Sequence, residues 1–121
     1  MLKVEPDYRD RVLNLFPDGP LTQDDITRLS AAFESLSRES KRVRGVVVHA
    51  KSFPGWANVG AFWAHLRFAF SHHRLVDRIA IASDSLTLRM LPPVIGWFLS
   101  PRIAIFRCDE FETASEWVRR D

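Results

Sequence analysis

The sequence is poor in the residues that most often announce a chemistry. It has one cysteine, Cys108, so no disulfide can close within the chain and no paired-cysteine metal site exists. Its five glycines are scattered, and none builds a phosphate loop or a dinucleotide fingerprint. There is no Gly-x-Ser-x-Gly elbow, so Ser52, Ser83, Ser85 and Cys108 qualify as nucleophiles by residue type alone. Histidines cluster only at His72-His73, and neighbours on a helix point about 100° apart, which suits them poorly to one metal ion. These absences name no catalytic residue, no metal ligand and no cofactor. Long apolar runs are missing as well. The tract from Met90 to Leu99 is interrupted by Pro92-Pro93 and Gly96 and is far short of the roughly 20 residues that span a bilayer. Met1 to Asp7 has no apolar signal core, so a cytoplasmic location is the expectation. Nor is there a large excess of one charge. Seventeen Lys and Arg face fifteen Asp and Glu, for a net +2, and no nucleic-acid partner is expected.

What is present reads as one ordinary globular domain, residues 1–121, with 46% hydrophobic and 26% charged residues. Tyr8 to Phe16 alternates imperfectly and stops at Pro17-Asp18-Gly19-Pro20, which predicts a strand paired with a short one at Leu2 to Glu5. Thr22 caps a helix, reinforced by Asp25, whose inward stripe is Ile26, Leu29, Phe33 and Leu36. The unalternating run Val43 to Ala50 suits a strand covered on both faces. A second helix runs from Asn58 to about His73, with Val59, Phe62, Trp63, Leu66 and Phe70 inward and Phe68 on the other side. Arg78 to Ser83 predicts another strand, and Asp84 or Ser85 caps a helix from Leu86 toward Leu99, kinked at Pro92-Pro93. Arg102 to Arg107 is the last strand. Asp109 and Glu112 resemble a capping box for a final helix that turns Ala114, Trp117 and Val118 inward. Such alternation of strands and helices predicts a mostly parallel sheet with right-handed crossovers.

Two clusters bear on binding. Arg38, Lys41, Arg42, Arg44 and Lys51 gather around the third strand. They read as a solvated helix end whose positive charge suits the C-terminal dipole, and as an anion-steering patch in the alternative. The aromatics are more informative, with nine Phe and four Trp. Most of them must fill the core. Trp56, however, lies in a Pro-Gly loop after a strand, where open α/β sheets tend to place ligands.

Several short stretches, in order, resemble the SpoIIAA-like family of the STAS-type superfamily. They are Phe53-Pro54-Gly55-Trp56, Leu66-Arg67-Phe68 with His72, Arg78-Ile79-Ala80-Ile81-Ala82-Ser83-Asp84, Ile103-Ala104-Ile105-Phe106, and Ala114 to Trp117. The resemblance runs from about Leu13 to Val118. It implies an α/β domain with a mixed, mostly parallel sheet of four to five strands and about four helices. Relatives in that superfamily carry a phosphorylatable serine at a helix start after the third strand. Here that place reads Ser52-Phe53-Pro54-Gly55-Trp56, without the Asp-Ser-Ser type motif, so no phosphoswitch is expected. The likeness of such folds to CRAL-TRIO-type lipid carriers implies a small non-polar ligand or a peripheral membrane contact.

The expected function is therefore a non-enzymatic binding domain. Its apolar site would be lined by Phe53, Trp56, Trp63, Phe70 and Trp97, with His72 and Asp84 near a polar edge. The alternative is a protein-interaction module acting as a homodimer, motivated by an outward Phe68 and the basic edge around Arg42 and Arg44. An enzyme would require Ser52, His72 and Asp84 to meet.

Overall fold

The computed structural model describes residues 2–40, 42–52, 55–85 and 100–120. Five strands form one sheet in chain order: β1 (Leu2–Asp7), β2 (Val12–Pro17), β3 (Val43–His49), β4 (Val76–Ala82) and β5 (Arg102–Phe106). The first pair is antiparallel and every later pair is parallel. Three α-helices occur among the described residues: α1 (Gln23–Ser40), α2 (Val59–His72) and α3 (Phe111–Arg119). The mixed, mostly parallel sheet is the expected one. The helix expected from Leu86 toward Leu99 lies outside the described residues.

The first strand pair is a true hairpin, and Tyr8 belongs to its turn rather than to a strand. The Asp7 carboxylate explains this. Its Oδ1 accepts the N–H groups of Arg9 and Asp10 at 3.1 and 3.2 Å, folding the chain back on itself. Arg11 then closes the turn at φ 57°, a left-handed seat that glycine or asparagine fills more easily.

The start of α1 follows its sequence signals. The N–H of Asp25 donates to Thr22 Oγ1 at 3.1 Å, while Asp25 Oδ2 accepts the Thr22 N–H at 3.0 Å. This is a capping box with aspartate in the glutamate's place. The buried carboxylate also accepts the Leu2 N–H at 3.1 Å and the Arg28 guanidinium at 2.5 Å. One side chain thus fastens the first strand to the first helix.

The sheet is covered on both sides. Leu29, Phe33 and Leu36 of α1 pack with Leu2, Leu13, Leu15, Val43 and Val76. On the opposite face Ala114 and Val118 of α3 pack with Val12, Val47, Ala80 and Ala82. The small residues of β3 and β4 let α3 approach closely. A Cβ on Gly45 would stand 2.7 Å from Val118 Cβ. The entry to α3 differs from the expected Asp109 cap. Glu110 Oε1 accepts the Arg107 N–H at 2.9 Å across a short 3-10 turn, Cys108–Glu110, so the helix proper begins at Phe111.

The second helix is rotated from expectation. Asn58 caps it through Oδ1, which accepts the Ala61 N–H at 2.8 Å. Its inward residues include Ala61, which is fully buried, and Phe68, whose ring meets Phe33 edge-on at 5.6 Å. The expected inward stripe instead faces out, with Val59 71%, Trp63 57% and Phe70 58% exposed. Successive residues turn about 100°, so both sets fall on single faces, half a turn apart. Both faces are apolar, and the spacing alone does not choose between them.

Two outcomes follow. Asp25 has its carboxyl held down at about 2 from 3.8. Burial pushes it up, and the Thr22 and Leu2 N–H groups, Arg28 and the Thr22 hydroxyl more than reverse that. A lowered carboxyl pKa stabilises fully above the unfolded value and is lost as pH falls through the folded one. Acid titration of unfolding should therefore show about 2 kcal/mol disappearing between pH 4 and 2. Asp25→Ala should cost about 3 kcal/mol at neutral pH and abolish that part of the acid limb. Gly45→Ala should cost about 1–3 kcal/mol in urea unfolding, through the clash with Val118.

Candidate functional site

The connections β2-α1-β3 and β3-α2-β4 step across the sheet in one direction, so α2 sits over β3 and β4 with α1 on one flank. The seam with α1 is closed by Phe33, Phe68 and His72, the last two rings stacked at 4.5 Å. The opposite face of α2 carries Val59, Trp63 and Phe70, all more than half exposed, with the half-buried Leu66. In the sheet, Ile79 and Ile81 stand in register with Ile103 and Ile105, all four only partly buried. Ile79 packs against the α1-side core, which fixes this row to the same face. An aromatic face on α2 and an isoleucine row in the sheet are thus the apolar surfaces from which a trough beside α2 would be built. The Ser100 N–H, just before β5, donates to His73 Nδ1 at 3.0 Å.

Trp56 anchors the N-terminal end of this aromatic face. The Leu21 N–H donates to the Gly55 carbonyl at 2.9 Å and the Ala57 N–H to the Leu21 carbonyl at 2.7 Å, tying the loop to the residues before α1. Gly55 supplies the turn with φ 69°. The Trp56 ring then meets Phe62 edge-on at 4.9 Å, and Phe62 meets Trp63 at 5.7 Å. Its Nε1–H donates to His65 Nδ1 at 3.0 Å. That acceptor must carry a lone pair, so the imidazole is neutral, and burial accordingly lowers its pKa.

Of the residues singled out in the sequence, the structure thus joins Trp56 to Trp63 through Phe62 and sets Phe70 on the same exposed flank. His72 is elsewhere, in the α1 seam, with Nδ1 2.8 Å from the Phe68 carbonyl oxygen. Asp84 is also apart. It accepts the Cys108 N–H at 3.1 Å beyond the C-terminal end of β4. The two are thus held by different partners on different elements. Phe53 and Trp97 lie outside the described residues. The isoleucine row was missed, because an Ile-Ala-Ile run reads equally well as closed core.

Cys108 and His49 make a second small cluster. His49 Nε2 lies 3.1 Å from the Cys108 carbonyl oxygen and 3.4 Å from its Sγ, and the ring stacks on Phe111 at 4.7 Å. A carbonyl only accepts, so Nε2 is the protonated nitrogen and the sulfur shares its proton as an acceptor.

No curated protein matches the sequence. The profile of the SpoIIAA-like family matches residues 12–119. A solved structure of an uncharacterised protein from Shewanella loihica, described as having a SpoIIAA-like fold, superposes with a TM-score of 0.74. It is 19% identical, and the match covers 98% of this chain and 92% of that one. At that identity the likeness is one of fold.

The His65 contact generates a pH dependence. Its folded pKa lies below the ordinary 6.5, so its contribution is full above that value and is lost as pH falls through the folded one. The protein should lose stability on acidification from about pH 7 to 5. His65→Asn, which keeps an acceptor near Nδ1 and cannot titrate, should flatten the curve over that range. Parallel curves for the two proteins would remove His65 as the cause.

Proposed function

The chain belongs to the SpoIIAA-like family, and from that premise we propose a non-enzymatic domain that binds a small non-polar molecule or lipid in the trough beside α2. The supporting observation is the outward flank of that helix, where Trp63 and Phe70 are more than half exposed, together with the row of partly buried isoleucines in the sheet. Large rings left in water forfeit the free energy that burial returns, about 1.5–3 kcal/mol for a side chain of this size. An apolar surface with few polar groups suits a ligand held by area rather than by hydrogen bonds. No helix among the described residues is long and apolar enough to cross a membrane, so a lipid would be met as a single molecule or at a surface.

The dimer reading has lost one motive, since Phe68 packs on Phe33 inside the domain. Its other motive, Arg42, is engaged with Asp77. Among the described residues the exposed face of α2 is the patch that would suit a second copy.

Organic extraction of the purified protein followed by mass spectrometry should recover a non-polar compound. A dansylated fatty acid should bind saturably, and Trp63→Ser should weaken it about tenfold. No extract, no saturable binding and a Trp63 shielded from acrylamide would overturn the reading. Concentration-dependent dimers in sizing, abolished by Trp63→Ser, would assign the flank to a second copy.

A further inference from the structure

At the N-terminal ends of β3 and β4, away from Trp56, a cavity of about 230 Å³ is lined by Arg11, Arg44, Asp77, Arg78, Val118 and Arg120. Four guanidinium groups therefore face one carboxylate, and that carboxylate is already paired with a fifth arginine, Arg42. Asp7 and Asp10 nearby offset this charge only in part, one of their two charges being cancelled by Arg119. Both are held by Arg119, at 2.9 and 3.0 Å, and Arg119 does not line the cavity.

Two of the four arginines have a structural duty. Arg44 Nη1 donates to the Arg119 carbonyl at 3.1 Å and Arg78 Nη1 to the Trp117 carbonyl at 2.6 Å. They satisfy the last carbonyls of α3, where the helix dipole favours cations. Arg78 is further fixed by lying 5.2 Å over the Trp117 ring. Arg120 caps α3 through its backbone N–H, which donates to the Trp117 carbonyl at 3.3 Å, but that role does not use its guanidinium, and Arg11 caps no helix. Arg11 in particular occupies a φ 57° turn position at a backbone cost of about 1–2 kcal/mol relative to glycine. That cost brings a cation to the mouth of a cavity that already holds two. Strained residues of this kind gather at binding sites.

We propose that this cavity is an anion site for a phosphate dianion, either inorganic phosphate or the phosphomonoester end of a larger molecule. Guanidinium forks match phosphate oxygens, and a dianion relieves more of the mutual repulsion of four cations than a single carboxylate does. The volume is below that of drug-sized ligand pockets, which fits a phosphoryl group. Arg44 and Arg78 are positioned beforehand by α3, so little side-chain order is left to impose on binding. The site is independent of the apolar trough and stands or falls separately.

Thermal unfolding with inorganic phosphate, against sodium chloride at equal ionic strength, reads this directly. Phosphate should raise Tm saturably where chloride does not. Arg11→Gly relieves the turn and should fold at least as well as the parent, yet bind phosphate about tenfold more weakly. Arg120→Ala, at an exposed position beyond α3, should do the same. Glycerol phosphate and vesicles of phosphatidylcholine with phosphatidic acid separate the two sources. Binding of either at the wild-type site, weakened by Arg11→Gly, supports the proposal and says which source is used. Equal effects of phosphate and chloride, or undiminished binding by both variants, would overturn it.

Discussion

The central strands β3 and β4 must be covered on both faces, and the rest of the structure answers to that constraint. On one face the cover is bulky, with Phe33, Leu29 and Leu36 reaching down from α1. On the other it is close, because Gly45, Ala80 and Ala82 leave room for the backbone of α3 to approach. A helix that packs so closely aims its C-terminal carbonyls at the beginnings of the same strands, and Arg44 and Arg78 meet them there. The crowd of positive charge at that end is thus a consequence of close packing. The aromatics of α2 belong to the α1 side of the sheet, where Phe68 and His72 pack on Phe33.

Much of this order was legible in the residues. The stripe Ile26-Leu29-Phe33-Leu36 and the cap at Thr22 placed the first helix correctly, since a polar cap beside an amphipathic run has few other readings, and the second was placed from Asn58 by its apolar spacing. The run Val43 to Ala50 was readable as a doubly covered strand and Arg78 to Ser83 as a strand, against the observed Val43–His49 and Val76–Ala82. The hairpin turn was not. It uses Asp7 and a left-handed Arg11 where asparagine or glycine would have marked it.

The site was half legible, for a related reason. α2 carries apolar residues on opposite faces, so periodicity located the helix but not its rotation. Trp63 and Phe70 were chosen from the sequence as ligand contacts and yet also assigned to the buried stripe; the structure turns them outward. His72 was displaced for the same reason, since the rotation that exposes Trp63 carries His72 to Phe33. The basic cluster was read as the end of α1. Of its members Arg44 serves α3, whose closing turn lies 75 residues away in sequence, a distance no local pattern spans, while Arg42 pairs with Asp77 of β4.

The grip of Arg119 on Asp7 and Asp10 bridges 112 and 109 residues. Every strand otherwise pairs with the one made just before it, so the sheet can extend stepwise as the chain lengthens. α3 is the exception, because its floor is built from β2, β3 and β4 together and its last turn clasps the opening hairpin. The closing element therefore docks only on a nearly finished sheet, and the domain reaches its full cooperativity late in its own synthesis. Until then Val12, Val47, Ala80 and Ala82 form a bare apolar face, the surface on which an incomplete chain is most prone to associate.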